Sequence, residues 1–569
     1  MKSERTIHIE KLISLHTTRD PALGDLVKDG LDAVRRAPEM DRLIEQQGVA
    51  WNRLWERFDV QVDVAPEWDL SPYSFQLILR LHTFHLLQTA SQNTVGMDVS
   101  VPARGWTGEA YRGHIFWDEA YVLPFYTLRA PEIARSLLLY RFRRLGEARA
   151  GAEEEGYAGA MFPWQSGSNG REETQVIHLN PRSGRWDPDR SHLQRHVNAA
   201  IAYNVWTYYR TTKDREFLHQ YGAEILLEIA RFWSSLCFQN KKDGRFEIHG
   251  VMGPDEFHEA YSGTSSAESG GLRNNAYTNV TAAWCLDRAI RALKTLDEPT
   301  RSDLMEHLGL TEEEIVRWGE ISERMALPLL PQGILEQFEG YGELDDPDWE
   351  AYREKYGDIG RLDRILKAEG VSPDRYKVSK QADVCMLFYL FDQEELTALL
   401  ARSGYPLTDA KMQETIEYYR QRTSHGSTLS HLVFAAVLDA FDREEAWKHY
   451  MEALRSDVED IQGGTTPEGI HTAVMAGTVR HVIERFAGIR LAGEGISLTP
   501  RLPDGLSRIR CVVSYRGSAA AIAVTPSEVE VAVVEGAPVE VPVHFAGTVR
   551  NVRPGEHAAL YPRSVGAEE

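Results

Sequence analysis

GPDEFHE, at residues 253–259, breaks one helical pattern, and NNAYTN, at residues 274–279, leads into the next. The Gly-Pro pair that opens this stretch rules out a continuing helix, because proline lacks a backbone N–H and clashes with the preceding turn. Three carboxylates then follow within five residues: Asp255, Glu256 and Glu259. Neighbouring carboxylates and an aromatic wall raise a carboxyl pKa, which keeps a general acid protonated near neutral pH. Composition alone favours a solvated acidic loop, so the decision depends on the rest of the chain.

The composition is that of a large globular protein with an excess of acidic residues. The 569 residues are 43% apolar and 10% aromatic, which is too rich for disorder and allows several domains or one large helical toroid. The 85 acidic and 63 basic residues give a net charge of -22. Nucleic acids and anionic membranes bind basic surfaces, so neither is expected as a partner. A small anionic substrate stays compatible, because a few local cations suffice to bind it.

The cysteines and the N-terminus indicate a cytoplasmic protein without a metal site. Four cysteines are scattered along the chain without a CxxC pair: Cys237, Cys285, Cys385 and Cys511. Such spacing is typical of buried, reduced thiols rather than of a disulfide scaffold or a zinc site. The polar start Met-Lys-Ser-Glu-Arg is unlike a signal peptide. No apolar run approaches ~18 residues, so no membrane span is expected.

Residues 1–65 are predicted to form a strand and a helical linker. Residues 7–14 alternate apolar and polar side chains, as a strand does, although no partner strand follows at once. Residues 20–58 keep a looser helical spacing. The charged positions between their apolar residues suit a linker that packs on a larger body.

Helical patterns dominate residues 66–492. Segments of roughly 12 to 20 residues repeat the i, i+3, i+4 apolar spacing. Brief turns alternate with long loops rich in Gly, Trp, Asn and His, which predicts an α-helical toroid whose loops collect at one end. Residues 493–569 are predicted to form a small all-β domain from short β-branched runs at 496–498, 509–515, 520–524, 529–534 and 539–545.

Three loops of the helical region suit a sugar ligand. Trp117 can stack on the apolar face of a pyranose, and the adjacent Asp118 can accept hydroxyl protons. FPWQS at 162–166 again combines an aromatic ring with acceptors. Lys380 and Gln381 stand at a helix start, where they can bind hydroxyls or an anion. Each loop also has a structural alternative: a core tryptophan, a packed loop or a solvated first turn.

Two further loops suit an anion. RTSHGSTLS at 422–430 enters a helix with hydroxyls, and a Gly-rich turn ends at His471. Hydroxyls, free backbone N–H groups and a histidine at helix N-termini form an anion site. Helix capping by Ser427 or Thr428 is the alternative, and both readings can hold together. The chain contains no GxxxxGK[ST], so a nucleotide P-loop is excluded.

Taken in order, these segments resemble glycoside hydrolase family 65, the maltose, trehalose and kojibiose phosphorylases. The matching text is GHIFWD, FPWQS, GPDEFHE with NNAYTN, KQAD, and RTSHGSTLS with EGIH. The resemblance implies a mainly α fold with an (α/α)6 barrel, a helical linker before it and a C-terminal β domain. The family's N-terminal β-sandwich is mostly lacking here, with residues 7–14 resembling its last strand. A homodimer is also implied.

The resemblance gives eight residues a role. Glu256 matches the general acid. Glucose-binding positions match Trp117, Asp118, Lys380 and Gln381, and positions that hold inorganic phosphate match Ser427, Thr428 and His471. Thr428 stands where many members have a second serine, and its hydroxyl is expected to keep phosphate binding. No metal or cofactor is implied, and phosphate is the co-substrate.

The implied reaction is inverting phosphorolysis of an α-glucosyl disaccharide of the trehalose, kojibiose or maltose type, giving β-glucose 1-phosphate and a free acceptor. One alternative is an inverting α-glucoside hydrolase, which needs a second carboxylate. Its candidates are Asp457, Glu459, Asp460 and Glu468. The other alternative is a non-catalytic sugar-binding remnant. The segment 260–273 is longer than in the maltose phosphorylase pattern and is expected to shape acceptor recognition.

Overall fold

Six helices form a closed ring in the computed structural model. The model describes residues 7–561 except 8, 19, 21, 66–73, 107, 262–269, 463 and 537–539. Each ring helix contacts the next, and the last contacts the first. In chain order they are Glu119–Arg129, Val197–Thr212, Ala276–Thr295, Asp383–Leu390, Thr428–Leu438 and Thr472–His481.

A second layer of helices packs outside this ring. Its members are Phe75–Thr89, Pro131–Arg143, Ala223–Leu236, Glu312–Arg324, Asp409–Arg420 and Arg443–Arg455, each in contact with at least one ring helix. The two layers form the (α/α)6 barrel that the sequence predicted. Shorter or peripheral helices complete this part: Leu26–Arg36, Met40–Phe58, Leu145–Glu154, Glu298–Leu308, Trp349–Tyr356, Leu362–Glu369 and Gln393–Arg402.

The ring helices are apolar on all sides because they face the outer layer, each other and the ring interior. Every residue of Glu119–Arg129 and of Thr472–His481 is buried. A helix that is hydrophobic all round belongs inside a large core. The buried carboxylate of Glu119 is paired, because Arg141 Nε donates to Glu119 Oε2 at 2.8 Å. An unpaired charge in this place would cost several kcal/mol.

The C-terminal part forms two sheets in which most neighbouring strands are antiparallel. One has the order Gln61–Val64, Leu506–Tyr515, Ser518–Val524, Val529–Gly536 and His557–Leu560. The other has the order Thr548–Val552, Val541–Phe545, Gly495–Leu498 and Ile489–Ala492. The predicted runs are strands, except at 539–545, where Val539 lies outside the described residues and the strand begins at Val541. Strands begin at Ile489, before the predicted boundary at 493.

The strand predicted at residues 7–14 is wrong. Residue 7 and residues 9–14 have no regular structure, and Ile7, Ile9 and Ile13 are exposed. The strand of this region is Gln61–Val64, which pairs antiparallel with Leu506–Tyr515. Alternation alone does not make a strand, because its backbone groups need a partner.

Candidate active site

A cavity of about 590 Å³ opens at the end of the barrel where the ring helices begin. All eight residues that the sequence singled out line it: Trp117, Asp118, Glu256, Lys380, Gln381, Ser427, Thr428 and His471. This volume lies in the range of small-molecule sites. The loops that carry them are far apart in sequence, and the ring closure brings them together.

Most of these residues lie at the N-termini of ring helices. Asp118, Ser427 and His471 are the N-cap residues of their helices, and Gln381 comes immediately before the N-cap Ala382. Helix N-termini carry free backbone N–H groups and a partial positive charge. The cavity end of the barrel therefore favours hydroxyl and anionic groups of a ligand.

Glu256 is held in an unusual backbone conformation beside the cavity. Its φ is 63°, in the left-handed region that non-glycine residues seldom adopt and that clusters at functional sites. Lys380 Nζ donates to Glu256 Oε2 at 2.6 Å. The loop is anchored by Asp255, whose Oδ1 accepts from Lys380 N at 2.9 Å and whose Oδ2 accepts from His258 Nδ1 at 2.6 Å. The loop thus presents Glu256 to the cavity through a fixed backbone.

The three neighbouring carboxylates do not face each other. Asp255 binds the loop backbone and His258, whereas Glu259 accepts from Lys367 Nζ at 2.9 Å. Asp118 also lines the cavity, and its carboxyl group interacts electrostatically with Glu256. Burial, and secondarily the charge of Glu256, raises the pKa of Asp118 to about 6. One carboxylate therefore raises the pKa of another, as the sequence suggested. The two carboxylates are Glu256 and Asp118, and not the neighbours of Glu256 in the 253–259 loop.

Gln381 and Trp117 give the cavity a fixed polar group and an apolar wall. Gln381 Nε2 donates to Pro254 O at 2.8 Å, which orients the amide. Its Oε1 is buried and has no partner among the described residues. A buried acceptor without a partner is costly, so it is suited to a ligand hydroxyl. Trp117 packs edge-on against Tyr121 and His196, which fixes its ring.

His471 belongs to a hydrogen-bond chain rather than standing free. Its Nδ1 bonds Asp457 Oδ1 at 2.7 Å, and its backbone N donates to Asp457 Oδ2 at 2.8 Å. Arg104 Nη1 donates to His471 Nε2. Because a guanidinium only donates, Nε2 accepts and Nδ1 carries the proton. His471 therefore holds the guanidinium of Arg104 at the wall of the cavity that Ser427 and Thr428 also line.

Arg104 is the site residue that the sequence analysis missed. It is 6% exposed, lines the cavity, and donates from Nη1 to Gly469 O at 3.0 Å and from Nη2 to Thr465 O at 3.3 Å. Its buried Nε has no partner among the described residues. No local motif marks this arginine, because its partners lie more than 350 positions away.

The four candidate bases for a hydrolase do not line the cavity in the described part of the chain: Asp457, Glu459, Asp460 and Glu468. The carboxylate of Asp457 is occupied by His471. The carboxylate of Asp460 accepts from the backbone N of Thr465 and of Thr466. Glu468 lies 3.4 Å from Arg104 Nη2 and its side chain is 58% exposed.

The rim of the cavity carries two cations without an ion pair. Arg361 is bidentate to Asp363, and Lys367 pairs with Glu259. Arg112 and Arg364 also line the cavity, and neither guanidinium has an ion-pair or hydrogen-bond partner among the described residues. Burial and the nearby charge of Arg361 lower the pKa of Arg364. A partly buried guanidinium without a direct ion-pair partner can bind an anion.

Other predicted features have a mixed outcome. Trp164 and Gln165 of the FPWQS segment line the cavity. All four cysteines are buried and form no disulfide. Residues 262–269, most of the segment expected to shape acceptor recognition, lie outside the described residues. No described helix is long and apolar enough to cross a membrane.

The fold and the site define an (α/α)6-barrel protein with a polar, sugar-sized cavity at the N-termini of its ring helices. The family model of the glycosyl hydrolase family 65 central catalytic domain matches residues 80–480, and that of the family's C-terminal domain matches residues 489–547. The chain belongs to glycosyl hydrolase family 65.

Relatives agree with this assignment. An uncharacterized glycosyl hydrolase of Mycobacterium tuberculosis is 44% identical over 98% of this chain and 41% of its own length. Trehalose 6-phosphate phosphorylase of Lactococcus lactis is 40% identical over 85% of this chain and 60% of its own length. Kojibiose phosphorylase of Caldanaerobacter subterraneus is 33% identical over 94% of this chain and 66% of its own length. The chain thus spans about two fifths to two thirds of these proteins.

One solved structure has the same fold. A human-microbiome protein described as a kojibiose phosphorylase superposes with a TM-score of 0.75 over 94% of this chain and 64% of its own length, at 22% identity. At that identity the similarity concerns the fold alone.

Proposed function

We propose that this chain catalyses inverting phosphorolysis of an α-glucosyl disaccharide. Glu256 gives its proton to the glycosidic oxygen while an oxygen of inorganic phosphate attacks the anomeric carbon from the opposite face. The C1–O bond to the acceptor breaks, a C1–O bond to phosphate forms, and the products are β-glucose 1-phosphate and a free acceptor. The glucosyl unit stacks on Trp117 and bonds to Asp118 and Gln381.

The observation that carries this proposal is the composition of the cavity wall around Ser427. Two hydroxyls, two helix N-termini and the guanidinium of Arg104 line the same cavity as Glu256. Charge-assisted hydrogen bonds from arginine suit phosphate oxygens, and helix N-termini favour anions. Hydrolysis would need a carboxylate there to activate water, and none of the four candidates lines the cavity among the described residues.

The acceptor sugar is proposed to carry a phosphate group. The unpaired guanidinium of Arg364, with Arg112 also at the rim, supplies a second anion-binding position. The lactococcal trehalose 6-phosphate phosphorylase is 40% identical to this chain, which supports the same substrate class. A phosphorylated acceptor would compensate the charge of Arg364, whereas a neutral sugar would leave it unpaired.

The test is a cleavage assay with and without inorganic phosphate. Trehalose 6-phosphate, trehalose, kojibiose and maltose are offered separately, and the anomer of the sugar phosphate is read by NMR. The expected result is phosphate-dependent release of β-glucose 1-phosphate, fastest with the phosphorylated disaccharide. Free glucose released at the same rate without phosphate would instead identify a hydrolase, and no turnover of any α-glucoside would favour a binding protein.

A matched pair of variants tests the acceptor phosphate separately. Arg364→Gln should lower kcat/KM for the phosphorylated disaccharide about 10- to 150-fold, the effect of losing a charged hydrogen bond of about 1.5–3 kcal/mol. Neutral disaccharides should be unaffected. Arg375→Gln, which removes an arginine paired with Asp345 away from the cavity, is the control. An equal loss on both substrate types would contradict the role of Arg364 without affecting phosphorolysis itself.

A further inference from the structure

Three histidines meet behind the turn that presents Ser427 to the cavity. One ring nitrogen from each of His425, His431 and His449 lies within 4.8 Å of the other two. His425 precedes the turn, His431 lies in the first turns of the helix Thr428–Leu438, and His449 lies on the neighbouring helix Arg443–Arg455. None of them lines the cavity, so the cluster is separate from the site described above.

The spacing fits shared coordination of one ion. His431 Nδ1 lies 3.0 Å from His449 Nδ1. Two imidazole nitrogens at about 2.1 Å from one zinc ion stand roughly 3.0 to 3.4 Å apart for angles between 90° and the tetrahedral value. Ser430 Oγ lies 2.9 Å from His425 Nδ1, and His425 Nε2 has no hydrogen-bond partner among the residues that the structure describes. Bringing the third nitrogen onto the ion needs a side-chain shift of about 1.4 Å at most.

The three rings pack against one another and against one aromatic side chain. The ring centroid of His425 lies 4.8 Å from that of His431 and 4.9 Å from that of His449. The rings of His425 and His449 also contact Phe434, which shields one side of the cluster.

We propose that His425, His431 and His449 bind a divalent transition-metal ion of the zinc class. Three imidazoles form a donor set that such ions prefer, and water can complete the coordination. The sequence analysis expected no metal, because it considered only the cysteines and what the family resemblance implies. The ring brings together side chains that no local motif connects.

The ion fixes the turn between His425 and Thr428. His425 adopts φ of 56°, a left-handed conformation, and Gly426 packs so closely on Gly360 that an added Cβ would lie 2.2 Å from Gly360 O. Through the ion, His425 is linked to His431 and His449 on two helices. This link holds the strained turn in place. The proposed metal is structural, and it leaves the chemistry of the cavity unchanged.

The test measures metal binding to the whole chain without a histidine tag. After chelator treatment and dialysis, Co²⁺ and Zn²⁺ are titrated by absorption and calorimetry. The expected result is one ion per chain, visible d–d bands for Co²⁺, and displacement by Zn²⁺. His431→Gln and His449→Gln should each weaken binding at least about 10-fold, because each removes a direct ligand. His307→Gln, which removes an exposed histidine on an outer helix, is the control.

Two results would overturn the proposal. One is that the wild-type chain binds no Co²⁺. The histidines would then only form hydrogen bonds with one another. The other is stoichiometric binding that His431→Gln leaves unchanged, which would place the ion elsewhere. Because His431→Gln keeps a polar side chain at a half-buried position, it should fold, and circular dichroism checks this. Neither readout depends on enzymatic activity, so the proposal stands or falls separately from phosphorolysis.

Discussion

Replacing Glu256 by glutamine should strongly lower the catalytic rate and leave the fold unchanged. Glutamine has the same shape, and its Oε1 can still accept from Lys380 Nζ, which donates to the native carboxylate at 2.6 Å. The lost ion pair lies at the cavity surface, with side-chain exposures of 14% for Lys380 and 30% for Glu256. The pair is partly buried, but glutamine keeps an acceptor for Lys380, so we expect the free energy of unfolding to fall by no more than about 1–3 kcal/mol.

The expected loss of turnover follows from the proton that glutamine lacks. General acid catalysis supplies about 10²–10⁴ in rate, equivalent to about 2.7–5.5 kcal/mol of barrier. We therefore expect kcat on a disaccharide to fall 10²- to 10⁴-fold while KM changes less than about threefold. α-Glucosyl fluoride needs little protonation of its leaving group, so the same variant should keep much more of its activity on that substrate.

Glu259→Gln is the matched control for this experiment. Glu259 lies three residues further on, lines the same cavity and pairs with Lys367 at 2.9 Å. It should lose far less than Glu256→Gln on the disaccharide and show no selective rescue by the fluoride. Two results would refute the assignment of Glu256 as the general acid. In one, Glu256→Gln retains more than about a tenth of the wild-type turnover on the disaccharide; in the other, it loses activity on the disaccharide and on the fluoride equally.

Three further changes test the surroundings of the site. Arg104→Gln should raise KM for phosphate about 10- to 150-fold at saturating disaccharide, since one charged hydrogen bond is lost; an unchanged KM would remove Arg104 from the phosphate site. Asp118→Asn should raise the melting temperature at pH 7.5 but not near pH 4. The pKa of Asp118 is about 6 in the fold against 3.8 ordinarily, so the fold favours the protonated form and its stabilising effect is lost as pH rises through 6; equal shifts at both pH values would contradict this. Glu119→Leu should lower the free energy of unfolding by about 3–5 kcal/mol, because Arg141 stays buried without its partner; a urea midpoint equal to that of the wild type would contradict it.

The helical barrel was predictable because its signal is local. Each ring helix carries a long apolar pattern and begins at a polar loop, as at Asp118 and Ser427, so periodicity and loop chemistry both mark it. The predicted strand at residues 7–14 failed for the opposite reason. Its alternation is local, but a strand forms only with a partner, and the partner strand Leu506–Tyr515 pairs with Gln61–Val64 instead.

The sequence indicated which residues line the candidate site, but it did not indicate which of them contact one another. Sequence order grouped Asp255 and Glu259 with Glu256, whereas in the structure Glu256 interacts electrostatically with Asp118, and the two neighbours bind His258 and Lys367. Arg104 carried no signal, because its partners are backbone carbonyls and a histidine more than 350 positions away. Contacts of this kind depend on ring closure, which no local pattern encodes.

The choice between phosphate and water on this barrel depends on which groups stand at the starts of two ring helices. A water nucleophile needs a base, and a carboxylate serves as one only if a lone pair faces the cavity. Here Asp457 uses both oxygens on His471, and His471 in turn accepts from Arg104. Through these hydrogen bonds, Asp457 orients His471, and His471 holds the guanidinium of Arg104. A phosphate dianion brings its own nucleophilic oxygen and is attracted by that cation, so the same arrangement that disfavours activation of water favours attack by phosphate.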